Sequence, residues 1–514
     1  MKKFVVLSLM SFLILAFGAT VYGQEKAPAL EFKASGFIDV ITEYVQNVTQ
    51  NVSATSASGS TSTNDVVFGP PAAYMLPTLN GANDRAFDKK MAYVENRGRL
   101  RFDALMGKEM SGTFYFEVDS TRWGERAPSG AQRNYAGHWG VADRAAVEVK
   151  NMFLTAGIPW IPVPTQIMAG IQPQYIRPGV FLANDGPGIT VVLKPDPLMI
   201  RFLWAKALEN KDWAADDADL YAIEANAKIQ TITVGGYGLL FNMNSYPVGD
   251  GEPRYSSNMW WVGFYADGKA GPLNFNFDFI YDNGKVEDRR DLATKARDVD
   301  FSGWGARVNL GFPWEKFLFG FASIYGTGAD QKKTSASALP GATVANTSGG
   351  AVTSSKAGAY IVPAGTEGSA GDSLILCGNA INRMNTGFIN GAGTAHARAA
   401  FGGLWINKIY GAFQVSPEFS TRLELMYVSD TTKNGNTIGT ARTVADQPRN
   451  DSDIGWEIDW LNKLSIYKNF SFQFGGGILF AGDAMDYAVV GAAAGTNKSP
   501  KNPWVITTNL TYSF

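Results

Sequence analysis

Cysteine and histidine are almost missing from this chain. A single Cys377 among 514 residues excludes an intrachain disulfide and any cysteine-clustered metal site. The only two histidines, His138 and His396, leave little for general-base or transition-metal chemistry. Long hydrophobic runs are lacking as well. After Phe17 no stretch of about 18 uninterrupted apolar residues occurs, which excludes a helical membrane span. Charge of one sign is not in excess either. Removing residues 1–23 takes away two lysines, leaving 43 Lys+Arg against 47 Asp+Glu and a net charge of -4. That balance is too mild to argue for nucleic acid as a partner or for ion selection by total charge.

What is present begins with an export signal. Lys2 and Lys3 precede an apolar run from Phe4 to Phe17, and Val21-Tyr22-Gly23 fits a small-x-small cleavage site ahead of Gln24. Residues 1–23 therefore read as a signal peptide and 24–514 as the mature chain. The run is shorter than the roughly 20 residues an anchor needs. No Cys lies near the cleavage point, which argues against a lipoprotein.

The full chain is rich in aromatics (13%) and in Gly (56 residues), with mean hydropathy near zero. Its dominant pattern is period-two alternation in segments of about ten residues, as a barrel strand between lipid and lumen produces. Phe275, Phe277, Phe279 and Tyr281 alternate with Asn274, Asn276 and Asp278. Leu423, Leu425 and Tyr427 alternate with Arg422, Glu424 and Met426. Trp456, Ile458 and Trp460 alternate with Glu457 and Asp459, and Tyr221, Ile223 and Ala225 with Glu224, Asn226 and Lys228. A soluble sandwich shares this period. Here, however, one face carries mixed Asn, Glu, Arg and Asp and the other carries large aromatics.

Connections fall into two kinds that alternate along the chain. Short ones carry turn chemistry: Gly107-Lys108-Glu109, Pro195-Asp196-Pro197, 268–272, 312–315, Ser416-Pro417-Glu418 and Tyr467-Lys468-Asn469. Long polar ones span 45–91, 123–143, 207–218, 242–257, 283–299, 328–399, 430–452 and 483–502, with an intermediate case at 176–187. This predicts an all-β fold, a transmembrane antiparallel β-barrel of 16–18 strands with 18 the best count, short periplasmic turns and long extracellular loops. A misread hairpin at 176–199 would give 16. Residues 53–63 and 334–375 are low in complexity and read as mobile surface segments.

The last strand ends in Tyr512-Ser513-Phe514. A terminal Phe with Tyr two residues earlier resembles the C-terminal signature of outer-membrane barrels, which implies recognition by the barrel-assembly machinery. The chain as a whole resembles the trimeric general porins. Its Glu31-Phe32-Lys33-Ala34-Ser35-Gly36 segment is similar in particular to homotrimeric porins of sulfate-reducing bacteria. The resemblance implies 16 to 18 strands, three barrels per assembly, and a loop folded inward to narrow the pore. The sequence departs from that family in loop lengths, since 176–187 is short for a constriction loop and 328–399 is very long.

Arg97, Arg99 and Arg101 alternate with Gly98, Leu100 and Phe102, so period two puts three guanidiniums on one face. Facing lipid, each would cost up to roughly 2–4 kcal/mol at mid-bilayer, so the lumen is expected. They form either a basic ladder for anions or a pore wall neutralised by Glu117, Asp119 and Glu148. Arg177 and Asp185 lie in a Gly/Pro-rich bend that is either an inward loop opposite that ladder or a plain surface turn. The plain turn is the slightly favoured reading. The acids Asp212, Asp216, Asp217 and Asp219 lack calcium-loop spacing and read as a solvated loop. Gly475-Gly476-Gly477 lacks the Lys-Ser/Thr of a phosphate loop and reads as close packing within a strand.

No catalytic constellation, cofactor or metal site is expected. The leading expectation is an outer-membrane porin passing small hydrophilic solutes and ions through a water-filled channel, as a homotrimer in lipid. The alternatives are a channel selective for a sugar or carboxylate, with Trp123, Trp139 and Trp213 as candidate lining, and a barrel displaying 328–399 for adhesion.

Overall fold

The chain's computed structural model describes residues 29–48, 89–124, 147–209, 216–246, 254–289, 296–334, 338–341, 344, 353–363, 366, 373–377, 401–489 and 491–514. The expected signal peptide, both histidines, Trp139, Trp213 and Asp212 lie outside them, as does most of 45–91.

Eighteen strands of 10 to 19 residues follow one another around a single wall. They are β1 Leu30–Val48, β2 Lys89–Met106, β3 Met110–Arg122, β4 Glu148–Gly157, β5 Thr165–Ile176, β6 Leu182–Leu193 and β7 Leu198–Leu208. Then come β8 Ala218–Ile229, β9 Ile232–Tyr246, β10 Tyr255–Ala270, β11 Leu273–Asp288, β12 Val299–Trp314 and β13 Phe317–Gly326. The series ends with β15 Leu404–Gln414, β16 Phe419–Asp430, β17 Asp453–Tyr467, β18 Phe470–Ala481 and β21 Trp504–Ser513. Three two-residue strands, β14 Lys356–Ala357, β19 Tyr487–Ala488 and β20 Asn497–Lys498, lie in the loops. Among the described residues the one helical turn is Asp483–Met485.

Each long strand pairs antiparallel with the next, and β21 pairs back onto β1, with Phe37 opposite Ser513 and Gln46 opposite Trp504. Phe514 and Gly36 exchange backbone hydrogen bonds of 3.0 and 2.8 Å at the seam. Closure leaves no edge whose N–H and C=O groups would be unsatisfied in hydrocarbon.

The alternating faces separate as the sequence pattern requires. Phe277, Ile223, Leu423 and Trp456 point outward at 41%, 47%, 57% and 46% exposure, while Asp278, Glu224, Glu424 and Glu457 are buried inside. The strand count is 18 because the doubtful region is a hairpin. β6 begins at Leu182, so 176–187 shrinks to a five-residue reversal between β5 and β6.

The inner face differs from the expectation of a mixed polar lumen. Toward the long-loop rim it is apolar over much of the circumference, with Leu239, Phe241, Met259, Trp261, Ile280, Phe301, Ile406 and Leu479 all buried. Two chain segments inside the barrel cover this surface and take it out of water.

Candidate functional site

The first inward segment is the β5–β6 hairpin. Near the short-turn rim it belongs to the wall, where β5 pairs with β4 as far as Ile171 opposite Met152. There β6 pairs with β7 as far as Gly188 opposite Ala205. Beyond those points, among the described residues, 172–186 pair with each other alone. The tip needs left-handed backbone, with φ of 51° at Arg177 and 86° at Gly179. Gly adopts such a φ without steric cost.

Its side chains anchor it to the far wall. Arg177 forms ion pairs with Asp267 of β10 and Asp278 of β11, and its guanidinium sits 4.4 Å from the Tyr265 ring centroid. Arg307 of β12 also binds Asp278. Phe181, fully buried, stacks on Tyr237 at 4.8 Å and lies 6.1 Å from Trp261. The plain surface turn favoured from sequence is thus replaced by a lumenal hairpin. The reason is apolar: Val180 and Phe181 are fully buried, Phe181 against Tyr237 and Trp261, burial that a surface position would deny them.

The second segment comes from the long connection between β13 and β15. Its described residues do not behave as a mobile surface segment. Lys356–Ala357 pairs in parallel with Asp300 and Phe301 of β12. The Trp261 indole N–H donates to the Ile361 carbonyl at 2.9 Å. The buried Asp282 carboxylate accepts from the Ile361 N–H at 3.2 Å. On β17, Glu457 accepts from the N–H groups of Ile375 and Leu376 at 2.6 and 2.8 Å, and Asp459 from that of Leu374 at 3.0 Å. The Cys377 N–H donates to the Ser373 hydroxyl at 2.9 Å, and Cys377 is buried. Three inward carboxylates therefore bind the loop through its backbone. Together with the burial of Tyr360, Ile361, Val362, Leu374, Ile375 and Leu376, this holds the described part of a Gly/Ala/Ser/Thr-rich segment inside. A Cβ at Gly477 would collide with the Asp459 carboxylate, so close packing accounts for part of the Gly475-Gly476-Gly477 run. The two segments also meet, the Tyr360 hydroxyl donating to the Val180 carbonyl at 2.7 Å.

Charge gathers on the opposite side, between the hairpin and β2–β4. Arg97 and Arg99 both reach Glu117, Arg99 at 2.9 Å. Lys150 of β4 bridges Glu117 at 3.4 Å and the hairpin's Asp185 at 2.7 Å. The Asn151 amide donates to Asp185 at 2.8 Å. Three cations thus face two carboxylates. Arg97, Arg99, Lys150 and Asp185 keep 18%, 20%, 13% and 16% of their side chains exposed, against 2% for Glu117. Arg101 stands apart, paired at 2.8 Å with Asp103 on its own strand and 45% exposed.

The sequence-derived candidates therefore divide. Arg97, Arg99, Glu117 and Asp185 come together, Arg177 works at the far wall, and Glu148 is exposed opposite Glu117 in the register. The Asp119 side chain lies outside the described ones. Lys150, Asp282, Glu457 and Asp459 were not singled out. Their inward parity is readable in the sequence, but their partners are not. The acids Asp217 and Asp219 are taken up by Lys206, at 3.0 and 3.7 Å.

No family model matches this sequence, and no curated protein matches it. Among solved structures the chain is similar to a BenF-like porin from Pseudomonas fluorescens Pf-5, at 9% identity over 94% of this chain and 98% of that one, with a TM-score of 0.46. It is also similar to OpdL of Pseudomonas aeruginosa, at 10% identity over 94% and 99% and a TM-score of 0.46. For OccAB4 of Acinetobacter baumannii the figures are 10% identity, 94% and 98% coverage, and 0.43. At these identities the likeness is one of chain path.

Proposed function

We propose that this chain is a porin of the bacterial outer membrane, giving small hydrophilic solutes and ions a passive, water-filled route across it. The observation that carries this reading is a closed barrel of 18 strands with an apolar outer surface and solvent-accessible ion pairs inside it. Eight strands leave room for side chains alone, whereas 16–18 leave space for an aqueous channel. Here two inward segments occupy part of that space. The passage is accordingly narrowed beside β2–β4, where Arg97, Arg99, Glu117, Lys150 and Asp185 form its charged lining.

Export by residues 1–23, recognition of Tyr512 and Phe514 by the barrel-assembly machinery, and assembly as a homotrimer of the type found in sulfate-reducing bacteria belong to this reading. The partly filled lumen favours a second, narrower version, a channel selective among solutes. Reconstitution in planar bilayers tests the proposal. Stepwise ohmic currents in KCl are expected, together with a zero-current potential that departs from zero in a salt gradient. Protein that inserts as folded barrel and passes no current would overturn it.

A further inference from the structure

We propose that the short-turn half of the lumen holds a binding pocket for a small neutral solute rich in hydroxyl groups, of the size of a monosaccharide. The proposal rests on the porin reading and adds a solute class to it. The cavity has a volume of about 290 Å³ and is set into the wall across β11, β12, β13, β15 and β16, away from the charged lining of β2–β4.

The recess follows from the register. Asn274, Gly311, Gly320, Tyr410 and Glu424 stand side by side in one row across five strands. Asn276, Asn309, Ala322 and Lys408 form the row beside it. Glycines at 311 and 320 and Ala322 make the wall recede between the amides and Tyr410. The Tyr410 ring lies over Gly320, where a Cβ would collide with it. At Gly311 a Cβ would fit in ordinary van der Waals contact, 3.6 to 3.9 Å from Leu318, Asn274 and Tyr410, whereas a longer side chain would enter the cavity.

The polar groups of the pocket suit hydroxyls. Among the described residues, the amides of Asn274 and Asn309 and the Tyr410 hydroxyl have no hydrogen-bond partner in the protein. Asn276 also lines the cavity, its amide donating at 2.8 Å to Asp267, the carboxylate that also holds Arg177. A carboxamide presents donors and an acceptor together, and a hydroxyl uses both, whereas an anion can use donors alone. The two cations are already engaged. Lys408 binds Glu424 at 3.1 Å, and Arg422 binds the same carboxylate while its guanidinium stacks 3.8 Å from the Tyr410 ring centroid. Leu318, Ile324 and Ile406 add an apolar strip on which the C–H face of a sugar ring can rest.

The test measures block of single-channel KCl current by glucose, each variant referred to its own open current. Glucose is expected to interrupt the current of the unmodified protein in a concentration-dependent way. Asn309→Leu, similar in size but without the amide, is expected to raise the half-blocking concentration about tenfold, the effect of one lost hydrogen bond. Gly311→Leu, which fills the recess, is expected to abolish the block. Equal block in both variants, or block by sodium benzoate and none by glucose, would overturn the proposal while leaving the porin reading intact. Absence of KCl current from the unmodified protein would remove both.

Discussion

Two stretches of the inner wall obey the same alternation and carry opposite chemistry. On β2–β4 the inward positions hold Arg97, Arg99, Glu117 and Asn151, linked by ion pairs that stay partly in water. On β9–β12, toward the long-loop rim, the inward positions hold Leu239, Phe241, Trp261, Ile280 and Phe301, all buried. The difference comes from what lies against each stretch. Chain covers the second stretch, so apolar side chains gain from burial there, at about 25 cal/mol per Å². The first faces the residual lumen, where apolar side chains would gain nothing and charges remain hydrated. An inward position in this barrel is therefore not a polar position by rule. It takes the character of its neighbour across the lumen.

The largest expected disturbance of this contrast comes from the carboxylate clamp on β17. Glu457→Ala with Asp459→Ala leaves the N–H groups of Leu374, Ile375 and Leu376 without acceptors, at about 1–3 kcal/mol each. The loop should leave the wall, raising single-channel conductance at least twofold and lowering the temperature at which the folded band disappears on gels. A variant with the original conductance would show that other contacts hold the loop.

Next in size is Phe181→Ala, which empties the space between Tyr237 and Trp261. Large-to-small changes of this kind cost about 3–5 kcal/mol. Thermal unfolding followed by circular dichroism should shift downward, with ion selectivity nearly unchanged because the β2–β4 lining is untouched.

Arg97→Gln with Arg99→Gln addresses the charged side. Lys150 then faces Glu117 and Asp185 alone, and the zero-current potential should move toward cation preference. Loop carboxylates in bulk solvent are screened within about 8 Å at physiological salt, so the local lining sets the sign. Because Glu117 is 2% exposed, the double variant should also lose stability, and adding Glu117→Gln should restore much of it. Unchanged potential in both variants would place the narrowest point elsewhere.

The smallest effect expected is that of Tyr360→Phe. It removes one hydroxyl donor to the Val180 carbonyl, worth about 0.5–1.5 kcal/mol, and should loosen hairpin and loop slightly without altering conductance in KCl. A large conductance change would make that contact a gate.

Much of the wall was legible in the sequence. Alternation such as Phe275 to Tyr281 and the Pro/Gly turns give strands and faces and bound the count at 16–18, because a side-chain period of two and the chemistry of tight reversal act over a few residues. Parity likewise put Arg97, Arg99 and Arg101 on one side. What parity cannot tell is which of two adjacent apolar residues faces lipid and which faces buried chain. Trp260 is outward and Trp261 inward, and both are simply indole in the sequence. Nor could composition show that 353–363 and 373–377 lie inside, since Glu457, Asp459 and Asp282 hold them through backbone N–H groups that every residue but proline carries. The sequence by itself determined the strands and their two faces. Which face positions became dry, and where the charges met, was decided by chain brought in from 20 to 180 residues away, because burial and ion pairing depend on what stands opposite in space.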